Sequence, residues 1–151
     1  MDALTRALAR LHSQRVYIDS NFFIYFLTRH PAGFAAAAAV LHGCDAGEIL
    51  GMTGDAAVSE LLVKPWQDGD VATLDGIRKF FAREHFIQRL PHDAACFELA
   101  AELRGTRGGK LIDALHYATA LRNGCRFLLS NDHGFKSDAR LTVLRLRDFG
   151  P

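Results

Sequence analysis

The chain has 151 residues, 49% of them apolar, with 18 basic and 17 acidic side chains and a formal net charge of +1. That length buries one hydrophobic core and favours a single domain over residues 1–151, while the charge balance excludes a global basic field, so any attraction to a polyanion has to be local. The cysteines Cys44, Cys96 and Cys125 are widely spaced, with no CxxC or Cys/His ligand pattern, which argues against structural zinc and for reduced core thiols in a cytoplasmic protein.

In chain order, Leu4, Leu8 and Leu11 come first, but Arg6 and Arg10 interrupt the apolar core that a secretory leader needs. Val16-Tyr17-Ile18 reads as the first buried strand. A helix is expected over Asn21 to Thr28, ended by His30-Pro31, and a second over Gly33 to Asp45, where Ala35 to Ala39 is a strong helix former. The apolar run Phe22 to Leu27 is too short to span a bilayer. Its aromatics, Phe22, Phe23, Tyr25 and Phe26, read as core and dimer surface rather than as base-stacking groups.

Ile49 to Met52 reads as the second strand, followed by a helix over Asp55 to Val63 that Lys64-Pro65 closes, with Trp66 expected to pack. Further helices are expected over Val71 to Arg83, Asp93 to Arg104 and Ile112 to Asn123, with a weaker strand at Phe86-Ile87. Leu90-Pro91 precedes the fifth helix, and Gly105 with Gly108-Gly109 separates it from the sixth. Phe127 to Leu129 and Leu141 to Leu144 complete the strands. Strands alternating with helices imply parallel pairing with right-handed crossovers, hence an α/β fold, a three-layer α/β/α sandwich with a central, mostly parallel sheet.

In such a sheet, ligands bind beyond the carboxyl ends of the strands. Val16-Tyr17-Ile18 runs into Asp19-Ser20-Asn21, and Phe127-Leu128-Leu129 into Ser130-Asn131-Asp132. Either site alone also reads as an N-cap preceding a helical segment. Asp113 lies in the first turn of a helix with apolar neighbours, where it borders an apolar surface or answers the helix dipole. Glu60 points away from the stripe formed by Val58, Leu61 and Leu62, so periodicity alone makes it a surface residue. Four acids meeting in one cleft repel one another unless cations neutralise them. Oxygen donors without histidine or thiolate ligands suit Mg²⁺ or Mn²⁺, whose chemistry points to phosphodiester hydrolysis.

Four blocks in order, Asp19 to Ile24, Val58 to Leu62 with Lys64-Pro65, Lys110 to Ala120, and Leu128 to Phe135, resemble the PIN-domain family. They span residues 16 to 135, and the size is similar to VapC-type toxins of bacterial toxin–antitoxin pairs. The resemblance implies an Mg²⁺- or Mn²⁺-dependent endoribonuclease acting on RNA. It implies metal coordination by Asp19, Asp113 and Asp132, with Glu60 completing the acidic cluster. It also implies a homodimer and, for a VapC-like toxin, a small antitoxin that inserts a segment near the site. Ser130 stands where the family usually has threonine, and Asn21 and Asn131 are placed to support the acids.

Arg104, Arg107 and Lys110 form a local basic patch that can contact RNA phosphates or simply complement a helix end. His12, His30, His42, His85 and His92 follow no shared spacing, whereas His116 and His133 lie near acids and are candidates for touching substrate; Asp138 is a further acid of uncommitted role. A haloacid-dehalogenase-like phosphatase is the competing enzyme class, but it wants a second acid two residues after the first, where this chain has Asn21. A PIN-like module that binds RNA or a partner without cutting is the non-catalytic alternative.

Overall fold

Strands β1 (Arg15–Ile18), β2 (Leu50–Gly54), β3 (Ile87–Leu90), β4 (Phe127–Leu129) and β5 (Thr142–Leu144) form one sheet of order β3-β2-β1-β4-β5 in a computed structural model that describes residues 1–151. Every neighbouring pair is parallel. Helices α2 (Ser20–Leu27) and α3 (Phe34–Asp45) connect β1 to β2. Helices α4 (Asp55–Asp68) and α5 (Val71–Ala82) connect β2 to β3, and α6 (Ala94–Arg107) and α7 (Leu111–Arg122) return the chain to β4.

Alternation along the strands divides the core between the two faces of the sheet. Val16, Ile18 and Leu129 pack with Phe22, Phe23, Val40, Leu61 and Phe81 on one face. Tyr17, Met52 and Leu128 pack with Ala100, Leu103, Leu115 and Ala118 on the other. The result is the expected three-layer α/β/α sandwich. Phe22 and Phe23 are core residues, set edge-on against Phe149, Phe80 and Phe81. No helix is long and apolar enough to cross a membrane.

Five local features differ from the sequence reading. The segment with Leu4, Leu8 and Leu11 is a helix, α1 (Ala3–Leu11), capped by Asp2, whose carboxylate accepts from the Thr5 amide. Helix α4 does not stop at Lys64-Pro65. It runs to Asp68 and ends where Gly69 takes a left-handed conformation at φ 63°. There the Asp70 amide bonds Pro65 O and the Gly69 amide bonds Trp66 O, a paired C-terminal closure that outweighs the one hydrogen bond proline removes. The continued helix carries Trp66 onto the outer face, 63% exposed beside Arg78, so it does not pack into the core. Likewise α6 passes through Gly105 to Arg107, and no helix follows Asp132: residues 130–141 form an irregular loop.

The strand order reverses beside β1, which lies between β2 and β4. A crevice opens at such a reversal because the connections leave in opposite directions, and it lies at the carboxyl ends of the strands. Asp19 and Ser130 stand at the ends of the two strands that flank it.

Candidate active site

Asp19 follows a strand buried on both sides and is itself 6% exposed. Its Oδ1 accepts from the Ser20 amide at 2.8 Å and its Oδ2 from the Ser130 hydroxyl at 2.8 Å. Burial pushes its carboxyl above the ordinary range, opposed by His116 and these two hydrogen bonds. Ser130 is fully buried and serves as a hub. While donating to Asp19 it accepts from the Asp132 amide at 3.0 Å and from Asn21 Nδ2 at 3.4 Å. Asn21 in turn accepts from the Asn131 amide at 3.3 Å, so Asn21, Ser130 and Asn131 tie the two strand ends together.

Glu60 lies on α4, and its side chain is about half exposed. The Ser20 hydroxyl donates to its Oε2 at 2.5 Å, linking it to the residue that follows Asp19. Neighbouring His116 and Ser20 hold its carboxyl below the usual range against partial burial. Periodicity points this side chain away from the apolar stripe of α4, and the partner that gives it a place comes from a different helix.

Asp113 and Asp132 close the other side. Asp132 is exposed, and its Oδ1 accepts from the Gly134 amide at 2.8 Å. The loop is clamped by Arg145, whose guanidinium donates to Asp132 O at 2.5 Å and Phe135 O at 2.6 Å. A Cβ at Gly134 would collide with Asp113 Oδ2 and lie 3.2 Å from Asp132 Oδ1, so a larger residue there would force the loop or the Asp113 carboxylate to move. Burial and then the charges of Asp132 and Asp19 push the Asp113 carboxyl up. Glu60, Asp19, Asp132 and Asp113 thus border one mouth.

His116, which the sequence offers as a candidate for touching substrate, lies against Asp19 and Glu60. It is 2% exposed, with Nδ1 at 2.6 Å from the Tyr17 hydroxyl. Burial and the charge of Asp19 push the Tyr17 phenol far up, keeping it a donor. His116 Nε2 lies 3.9 Å from Glu60 Oε1 and 4.0 Å from Asp19 Oδ1, and has no hydrogen-bond partner. It lies too far for a hydrogen bond yet faces two carboxylates at once. Its position three residues after Asp113 on the same helix face is the sequence signal for it. His92, in contrast, is a tie: its Nε2 accepts from the Ala56 amide at the start of α4, and its Nδ1 lies 2.7 Å from Thr119 Oγ1.

The basic residues divide. Arg104 Nε donates to Gly109 O at 3.1 Å, and Arg107 pairs with Asp138. Lys110 precedes α7 and is exposed. Asp138 is held well below the ordinary range, despite burial, by the Arg140 amide, Arg107 and the Leu141 amide, so it belongs to this ion-paired corner.

No group of three or more Asp, Glu, His or Cys side chains is gathered tightly enough to form a closed cation cage. Mg²⁺ does not need one, because it keeps several waters and takes one or two carboxylates. An oxygen-only set in which burial and then neighbouring charge raise Asp113 fits such an ion.

The profile of the PIN domain family matches residues 16–141. No curated protein sequence matches the chain. Among solved structures, VapBC2 from Rickettsia felis, bound to a DNA fragment from its promoter, is similar at 18% identity, covering 87% of this chain and 98% of that chain with a TM-score of 0.64. A toxin–antitoxin complex from Klebsiella pneumoniae is similar at 17% identity, 84% and 95% coverage and a TM-score of 0.62. The sarcin–ricin-loop-cleaving toxin VapC20 of Mycobacterium tuberculosis is similar at 15% identity, 82% and 91% coverage and a TM-score of 0.59. At these identities the likeness is one of fold.

Proposed function

The chain belongs to the PIN-domain family, and from that premise we propose that residues 1–151 act as one nuclease domain: a divalent-metal-dependent endoribonuclease, the toxin of a toxin–antitoxin pair. The observation that carries the reading is the grouping of Asp19, Glu60, Asp113 and Asp132 beside the strand-order reversal, where burial first and then the charges of Asp132 and Asp19 push the Asp113 carboxyl up.

Asp19, Asp113 and Asp132 are the acids from which Mg²⁺ or Mn²⁺ would take one or two carboxylates, with water completing its shell. A cation there supplies positive charge beside the phosphate and makes water more acidic. Ser130 and the Ser20 amide fix the direction of both Asp19 oxygens. Ser20 holds Glu60 at the rim, where its carboxylate is placed to orient water or take up a proton. Lys110, exposed beside Asp113, is the cation placed to meet an RNA phosphate.

A cognate antitoxin and a homodimer are part of the proposal. A groove of about 580 Å³ runs beside Glu60, lined by Ile24, Leu27, Leu61, Pro65, Ile77 and Phe80. Its apolar wall suits an amphipathic antitoxin segment lying next to the acids.

The test is expression of wild type and Asp19→Asn in a bacterium, with sequencing of RNA ends, and cleavage assays in vitro with Mg²⁺ or Mn²⁺. Growth arrest and discrete new ends with wild type alone are expected. Asp113→Asn should lower cleavage at least ~10³-fold, as loss of several kcal/mol of charge stabilisation implies. Equal cleavage by wild type and Asp113→Asn would defeat the nuclease and favour a binding module.

A further inference from the structure

Next to the carboxylates lies a depression of about 340 Å³ whose lining runs past Asp113 and Lys110 to groups that the hydrolytic chemistry does not use. Asp113 and Gly134 form the wall it shares with the acidic mouth, and Lys110 and Lys136 stand exposed on its rim. The Arg107 guanidinium lies 5.0 Å from the centroid of the Tyr117 ring and is anchored by Asp138. The Tyr117 hydroxyl, on the pocket wall, is buried with no hydrogen-bond partner. Gly108 and Gly109, at φ 75° and 94°, turn the chain past the opening without placing a side chain over it.

We propose that this depression binds one unstacked nucleotide of single-stranded RNA. Its base lies on the Arg107 guanidinium plane, and its phosphate rests on Lys110 and Lys136. The assignment rests on the nuclease reading only in that the adjoining phosphodiester is then delivered to Asp113. Asp138 pairs with both Arg107 and Arg140, so it offsets the charge of Arg107 only in part but fixes its guanidinium in place. What Arg107 offers is a flat surface, pinned between an aromatic ring and a carboxylate, and guanidinium planes are surfaces on which splayed-out bases stack. The volume sits at the small end of ligand pockets, ~300–1,000 Å³. That admits one nucleotide and excludes a stacked run.

The full-length ¹⁵N-labelled chain, in EDTA, is titrated separately with 5′-AMP, CMP, GMP and UMP, and with ribose 5-phosphate and inorganic phosphate as base-free probes. At least one nucleotide should shift the amides of Gly108, Gly109 and Gly134 and bind at least ~5-fold more tightly than ribose 5-phosphate, the low end of one base stack. Arg107→Lys keeps the charge and the Asp138 pair but loses the plane. It should weaken nucleotides at least ~5-fold and leave ribose 5-phosphate unchanged. Lys110→Ala should weaken both. The proposal is overturned if ribose 5-phosphate binds as well as every nucleotide, if Arg107→Lys binds like wild type, or if no nucleotide shifts these amides. Cleavage assays on the same protein separate the two readings. Nucleotide binding without metal-dependent cleavage defeats the nuclease alone, and cleavage without nucleotide binding defeats the pocket alone.

Discussion

The acids on the two sides of the site are held by opposite means. On one side Asp19 rises from a buried strand with both oxygens satisfied, and Glu60 is tied to it through Ser20. On the other, Asp113 and Asp132 face each other across Gly134, with burial and mutual charge raising Asp113. The first half is organised by hydrogen bonds within the protein, and in the second burial and like charge outweigh the opposing charges of Lys110 and His116 at Asp113. Binding sites that bring like charges together cost folding stability; Asp19 is raised as well, but His116 and two hydrogen bonds oppose the shift there.

The comparison breaks most visibly at Gly134. Gly134→Ala drives a methyl group into Asp113 Oδ2, so either the loop or the carboxylate must move. RNA cleavage should fall ~10²-fold, the cost of displacing a reacting group by about 1 Å. The position is exposed, and the melting temperature should barely change. Full activity in this variant, measured under single-turnover conditions, would mean that Asp113 and Asp132 need not face each other.

Ser130→Ala probes the other half. It removes the donor to Asp19 and the acceptor of the Asp132 amide at a fully buried position, and leaving such groups unpaired costs ~1–3 kcal/mol. The melting temperature should drop by ~2–4 °C per kcal/mol, with a fall in cleavage as Asp19 loses its orientation. A thermal scan showing no loss would remove the distinction between the halves.

How legible these halves were follows from the range of the contacts. Both strand-end sites could be read because β1 and β4 are apolar on both faces and pass abruptly into Asp, Ser and Asn. Asp113 could be read from its apolar neighbours on α7. Glu60 rested on resemblance alone, because its partner Ser20 is 40 residues away and no periodicity reports on that contact. His116 needed Tyr17, 99 residues distant. The end of α4 was misplaced for a local reason: proline is a louder signal than the glycine four residues later that closes the helix. The loop after Asp132 was read as helical because an Asx turn onto Gly134 uses the same residue types as an N-cap.

The smallest expected effect is the most discriminating. A carboxyl whose pKa is raised by folding binds more protons folded than unfolded between its ordinary and raised values, so stability falls as pH rises through that window. Asp113 is such a group, and its penalty is absent below the ordinary carboxylate range, about pH 4, and grows as pH rises above it. Asp113→Asn removes the penalty. The variant should therefore melt slightly above wild type at neutral pH, by ~1–3 °C given that water screens a half-exposed group, and the gap should close on acidification. Adding Mg²⁺ should raise the wild-type melting temperature more than that of the variant, because a cation that binds only the folded state stabilises it by mass action. A variant that melts below wild type at neutral pH, or that gains as much from Mg²⁺, would show that Asp113 is stabilised as an anion by the protein itself, and the two halves of the site would then be alike.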